Sequence, residues 1–230
     1  MKLSNETLTI LKNYASINSN IVFRGGSTIK TMSEAKNILA SANVAEDFPT
    51  DVGIYDLNEF LGVIAMFDDP DLEFNDNYVR VGESGSAVQY FFSDPSILTS
   101  PSKDIQMPNP EVEFNLSDSE LATIRKAAAT LSVSDLVIES KGSGETGLSA
   151  TVTDLADSTS NSFSLNLSSV GLPLPDAPFR FVFNVANFKI VSGDYRVQIS
   201  SKLISQLTNT NADINYWIAL EKTSTYGNNN

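Results

Sequence analysis

Residues 6–17, ETLTILKNYASI, align without a gap on residues 120–131, ELATIRKAAATL, at an offset of 114. The matches fall at helical spacing: Ile10 meets Ile124, Ala15 meets Ala129 and Ile17 meets Leu131, and Lys12 meets Lys126. An apolar run follows each copy, Ile21-Val22-Phe23 in the first and Leu136-Val137-Ile138 in the second, and both read as strands. Further on, IYDLNEF (54–60) aligns with VFNVANF (182–188), a strand leading into a short turn of helix. AVQYFF (87–92) aligns with DINYWI (213–218). Four blocks in one order at nearly constant spacing predict a duplicated unit.

Each half runs as an amphipathic helix, several strands, a second short helix and more strands. Ser4 and Asp118 are the expected N-caps, with Glu6 and Glu120 favouring the positive helix ends. Alternation in Glu111–Phe114, Ser162–Leu167 and Tyr195–Ile199 predicts antiparallel strands, so the class is α+β. The proline-rich stretch 94–110 cannot sustain a helix or a central strand. It divides the chain into a first domain, 1–93, a linker, 94–110, lying along the surface, and a second domain, 111–230. The tail from Tyr226 to Asn230 is expected to fray.

Composition narrows the chemistry. With no His and no Cys among 230 residues, catalytic triads built on imidazole, zincin sites, thiolate nucleophiles and disulfides are all excluded. Carboxylates, Lys, Tyr and hydroxyls remain, which favours binding or structure over catalysis. At 41% apolar residues there is enough material for packed cores. The longest apolar run, Phe60 to Phe67, falls far short of the roughly 20 residues of a membrane span, and the start lacks a signal-peptide core. A soluble, intracellular protein is expected.

The motifs have ordinary readings. GSGETG (142–147) fits the dinucleotide pattern but runs into an alternating segment, LSATV, where a cofactor site needs a helix N-terminus, so a hairpin loop is expected. Asp68-Asp69-Pro70-Asp71, with Glu73 and Asp76, lacks EF-hand spacing and reads as a solvated turn. No cofactor and no metal is expected.

Charge poses the remaining question. Fifteen Lys and Arg against 28 Asp and Glu leave a net charge of −13, which opposes nucleic-acid binding unless the cations gather on one face. On the helix at 118–131, Leu121, Ile124, Ala128 and Leu131 form a core stripe, leaving Arg125 and Lys126 with Ala122 and Ala129 on a small, basic outer face. Lys12 holds the matching place in the first copy, and the short helix expected at 185–189 adds Lys189. Exposed helices commonly carry a few cations, but repetition at corresponding positions favours a function. Trp217 and Tyr216 point to opposite faces of the last strand, one of them into the core.

With the duplication, the start MKLS, LKNYASINS, IYDLNEFLG and the tyrosine-rich final strand, the chain resembles the sliding clamps of T-even-type bacteriophages. These are DNA polymerase processivity factors with a PCNA-like fold. The resemblance implies two tandem domains of the DNA-clamp fold. It implies a homotrimeric ring, with helices lining the hole and sheets outside, that encircles duplex DNA of any sequence. Lys12, Arg125, Lys126 and Lys189 would face the DNA. A pocket drawing on Ile105, Met107, Tyr195, Trp217 and Ala219 would take C-terminal peptides of partners.

The implied partners are the DNA polymerase, an ATP-dependent clamp loader and sigma-like and co-activator proteins of late transcription, in the cytoplasm of the infected host. The clamp itself is not an enzyme. A structural phage tail or baseplate protein, or a metal-assisted carboxylate enzyme using the acids near 68–76, are the alternatives.

Overall fold

In a computed structural model that describes residues 1–101, 105–140, 147–167 and 174–227, helix α1 (Asn5–Ile17) starts where a side chain can absorb its open N–H groups. Ser4 Oγ accepts from the Thr7 N–H at 3.2 Å. The Glu46 carboxylate, from a distant strand, accepts from the Ser4 N–H and the Thr7 hydroxyl. Burial alone would raise the Glu46 carboxyl, but these hydrogen bonds outweigh it and hold the group below its ordinary value. The helix buries Thr7, Ile10, Leu11, Tyr14 and Ile17.

The chain divides into two units, Met1–Asp104 and Ile105–Asn230. In the first, α1 leads into β1 (Ile21–Phe23), which pairs antiparallel with β4 (Val52–Ile54). Between them β2 (Gly26–Met32) and β3 (Ile38–Phe48) form a hairpin, and β3 supplies Glu46. Helix α2 (Leu57–Ile64) is capped by Asp56, which accepts from the Glu59 N–H at 2.9 Å, and buries Leu57, Phe60, Leu61 and Ile64. An antiparallel sheet β5 (Asp71–Phe74), β6 (Tyr78–Glu83) and β7 (Ser86–Phe91) completes the unit. Met1 pairs with Leu72 of β5 through both backbone groups, a stub of one further strand.

The second unit repeats the plan. It runs β8 (Val112–Leu116), α3 (Asp118–Leu131), β9 (Asp135–Ser140), β10 (Leu148–Thr153), β11 (Phe163–Leu167) and β12 (Phe179–Asn184). A 3₁₀ turn at Val185–Asn187 precedes β13 (Tyr195–Ser200), β14 (Ile204–Asn209), β15 (Ile214–Ala219) and the short β16 (Thr225–Tyr226). One sheet runs β11-β10-β9-β12-β16, and in the other β8, β13, β14 and β15 lie side by side. Element by element, α3 stands for α1, β9 and β12 for β1 and β4, β10 and β11 for β2 and β3, and β13 to β15 for β5 to β7. Strand β8 pairs with β13 where Met1 pairs with β5.

The architecture is therefore α+β with two similar domains. Several details differ from the sequence expectations. The cap of α3 is Ser117, not Asp118, because Ser117 and Glu120 close a capping box on each other: Ser117 Oγ accepts the Glu120 N–H at 3.3 Å, and Glu120 Oε2 accepts the Ser117 N–H at 2.9 Å. The second short helix shrinks to a 3₁₀ turn that ends before Lys189. Strand β11 does not alternate cleanly. Phe163 is 37% exposed and only Leu167 is buried, since β11 is an edge strand with one neighbour. Residues 142–146 of GSGETG and 102–104 of the proline-rich stretch lie outside the described residues, as do the last three of the tail.

Candidate nucleic-acid interface

The cations read from the sequence separate into two kinds. At 100° per residue, the face of α1 opposite its core stripe carries Asn5, Glu6, Thr9, Lys12 and Ser16, all exposed. The same face of α3 carries Ala122, Thr123, Lys126, Ala129 and Thr130, all exposed. Lys12 and Lys126 thus occupy one position in two repeats. Five other cations, Lys2, Arg24, Arg80, Arg180 and Arg196, are paired with acids. Among the described residues neither Lys12 nor Lys126 has an ion-pair partner. Acids on α1 and α3 sit in the first turns, at Glu6, Asp118 and Glu120, so beyond those turns the only charge on each of these outer faces is its lysine.

Arg125 departs from the expectation. It is half-buried, and its Nη2 donates to the carbonyls of Phe188 at 2.7 Å and Ile190 at 2.8 Å. Burial lowers its pKa, with Tyr195, Asp118 and Tyr216 close enough to oppose the shift. The reason is its place on the helix, next to Ile124 and between Leu121 and Ala128 of the buried stripe. Its charge serves backbone oxygens rather than an open surface. The repeat carried a signal of this, because position 125 aligns with Leu11, which is fully buried. Lys189 is exposed, between the buried Phe188 and Ile190.

The residues read as a peptide pocket also divide. In the β14–β15 register Gln206 lies opposite Trp217, Thr208 opposite Asn215 and Ile204 opposite Ala219, all partly exposed on one face. Leu207, Ser205, Tyr216 and Ile218 fill the other face and are buried. Trp217 Nε1 donates to Gln206 Oε1 at 3.2 Å. Tyr216 is thus the core residue of the pair and Trp217 the outward one.

Tyr195 does not share that outer face. It lies opposite the buried Asn209, is itself fully buried, meets the Tyr216 ring edge-on at 6.2 Å and donates its hydroxyl to the Val191 carbonyl at 2.8 Å. Burial pushes its pKa up to about 12. Sequence alternation alone could not assign its face relative to Trp217, because that depends on the register of β13 on β14. Ile105 and Met107 are half-buried.

Two edge strands were not anticipated. β7 closes the sheet of the first unit and β11 that of the second, and each has a single strand neighbour within its unit. Both carry an exposed aromatic, Phe91 at 66% and Phe163 at 37%. The Asp68–Pro70 turn is held by the Glu83 carboxylate, which accepts the N–H groups of Asp68 and Asp69, and by the Lys2–Asp69 pair. No helix among the described residues is long and apolar enough to cross a membrane.

Known proteins share this arrangement. The family model described as DNA polymerase processivity factor matches residues 4–95, and that described as gp45 sliding clamp, C terminal, matches residues 113–222. The chain is 30% identical over 225 residues to the sliding clamp of Vibrio phage KVP40, covering 96% of this chain and 99% of that one. It is 29% identical over 232 residues to the sliding clamp of Enterobacteria phage T4, covering 98% and 99%. Among solved structures, A. fulgidus PCNA bound to the C-terminal region of FEN-1 matches with a TM-score of 0.71 at 13% identity, over 95% of this chain and 96% of that one. The Helicobacter pylori beta clamp bound to a DNA ligase peptide matches at 0.66 and 13% identity, over 96% of this chain and 66% of that one. Similarity to phage clamps over nearly the full length, on a clamp fold built from two like units, means that the chain belongs to the bacteriophage sliding-clamp family, the processivity factors of DNA polymerase.

Proposed function

We propose that three copies join head to tail into a ring that encircles duplex DNA and tethers the polymerase, holding by enclosure rather than by adhesion. The observation that carries this reading is the pair Lys12 and Lys126, placed alike on helices with small, polar outer faces in a chain of net charge −13. A few exchangeable contacts to phosphate let a ring slide, whereas a dense basic surface would act as a brake. Lys189 adds to this face. The acids elsewhere repel DNA from the remaining surface.

Ring closure is supported by the edges of the two sheets. An open β7 edge in one unit and an open β11 edge in the other are different surfaces, as a head-to-tail contact requires, and each presents a phenylalanine. A duplicated unit gives three chains a near-sixfold symmetry.

Partners with apolar C-terminal peptides would dock against the outward face of Trp217 and Ala219, with Ile105 and Met107 beside them. A clamp of this kind catalyses no reaction. A separate ATP-dependent loader opens it, and sigma-like and co-activator proteins of late transcription are further partners, all in the host cytoplasm.

Primer extension on a long template, with the matching polymerase and loader, tests the reading. Lys12→Glu combined with Lys126→Glu shortens products while the trimer persists in solution. Full-length products from that variant would refute the DNA-facing assignment.

A further inference from the structure

The segment from Phe188 to Val191 has no helix or strand of its own, so its backbone groups need partners from elsewhere. Three side chains supply them. Arg125 donates to the carbonyls of Phe188 and Ile190, Tyr195 donates its hydroxyl to the Val191 carbonyl, and Tyr216 Oη accepts the Val191 N–H at 3.3 Å. Phe188 and Ile190 are buried, at 8% and 4%, and the Phe188 ring meets Phe183 edge-on at 5.3 Å. The one residue between them, Lys189, is left pointing outward.

The first unit handles the same place differently. Phe60 matches Phe188, and there the chain is still helical in α2, whose carbonyls are used internally: that of Leu61 accepts from the Ala65 N–H at 3.0 Å. No outside donor is needed, and the position of Arg125 is filled by the buried Leu11.

We infer that Arg125 is a positioning residue. By bracketing residue 189 between two carbonyls held from α3, it fixes Lys189 on the side of the molecule that carries Lys126, and so gives the second unit two ordered cations toward DNA where the first has one. The inference rests on the DNA-facing reading above and adds to it a division of labour: Arg125 holds, Lys126 and Lys189 touch. Both bonds leave the one nitrogen Nη2, which a guanidinium carries one bond farther from the backbone than lysine carries its ammonium, so lysine at 125 does not reach the two carbonyls from the same point.

Two measurements on the full chain test it. Because the chain has no cysteine, Lys189→Cys and Lys126→Cys each accept a single spin label. The label at 189 is predicted to be ordered with Arg125 and mobile in the Arg125→Lys background, and the label at 126 to be unchanged. A label at 189 indifferent to Arg125→Lys would overturn the inference. Should Arg125→Lys fail to fold, Arg125→Gln, which removes the charge and ends two bonds short of Nη2, takes its place.

The second measurement is the salt dependence of binding to a short blunt-ended duplex that can thread the ring, read by anisotropy. Each phosphate contact adds about 0.9 to the slope of log affinity against log salt. Arg125→Lys and Lys189→Ala are predicted to lower the slope equally, and together no further than either alone, while Lys126→Ala adds independently. Additivity of Arg125→Lys with Lys189→Ala would overturn the inference. If Lys126→Ala and Lys189→Ala both leave the slope unchanged while the label at 189 still responds to Arg125, the DNA-facing reading fails and the loop restraint alone stands.

Discussion

The two repeats solve one packing problem in two ways. In the first, α1 lies against a full second helix, and an apolar Leu11 suffices because α2 satisfies its own backbone. In the second, that helix has shrunk to a 3₁₀ turn, and the freed carbonyls of Phe188 and Ile190 are met by Arg125. The helix starts differ in the same sense. The cap of α1 is reinforced by Glu46, 42 residues from Ser4, whereas the cap of α3 is closed by Glu120, three residues from Ser117. Like topologies therefore need not share the residues that hold them, while the outward lysines Lys12 and Lys126 keep their place in both.

The sharpest way to break this comparison is to exchange the residues. Leu11→Arg buries a charge where the facing helix offers no open carbonyls, and is predicted to cost about 3–5 kcal/mol, seen as a lower urea midpoint or loss of folding. Arg125→Leu leaves two inward-facing carbonyls without a donor and costs about 2–3 kcal/mol by the same measurement. If the two exchanges proved equally mild, the repeats would be interchangeable and the account of the carbonyls wrong.

Glu46→Gln keeps the shape but weakens the acceptors at the α1 start, and is predicted to cost about 1–2 kcal/mol. Its pH dependence sharpens the contrast. A carboxyl held below its ordinary value contributes stability that is complete above the ordinary glutamate value of 4.5 and is lost as pH falls through the lowered one. Wild type should therefore lose its advantage over Glu46→Gln on acidification through that window. A constant difference across it would remove the charge from the explanation. At the other helix, Ser117→Ala is predicted to cost about 1 kcal/mol. Lys126→Ala, on a solvated face, should shift stability by no more than about 0.5 kcal/mol in thermal melts.

What was legible in the sequence was whatever depends on spacing alone. The helical matches at offset 114 located α1 and α3 and placed Lys12 and Lys126 on equivalent faces, and alternation put Tyr216 and Trp217 on opposite faces of β15. What depends on a partner far along the chain was not legible. Ser4 was the expected cap and is the cap found, but its support by Glu46 from β3 was not readable; Ser117, by contrast, makes its box with the nearby Glu120, a spacing the sequence did contain.

Tyr195, which the resemblance placed in a peptide pocket with Trp217, lies in the core, because the register of β13 on β14 sets its face. Arg125 read as an outward cation because it falls off the stripe of Leu121, Ile124, Ala128 and Leu131, although its alignment with Leu11 already marked a core-facing position. The open edges of β7 and β11 depend on which strands pair within each unit, and no periodicity encodes that.

Retention on DNA of two topologies tests the central claim most directly. Clamps loaded on a nicked circular duplex and then freed of loader should remain through a salt wash that strips ordinary phosphate contacts, and should run off once the circle is cut with a restriction enzyme. Equal lifetimes on the circle and on the cut, open-ended duplex would contradict enclosure and mean that the chain holds DNA by its surface.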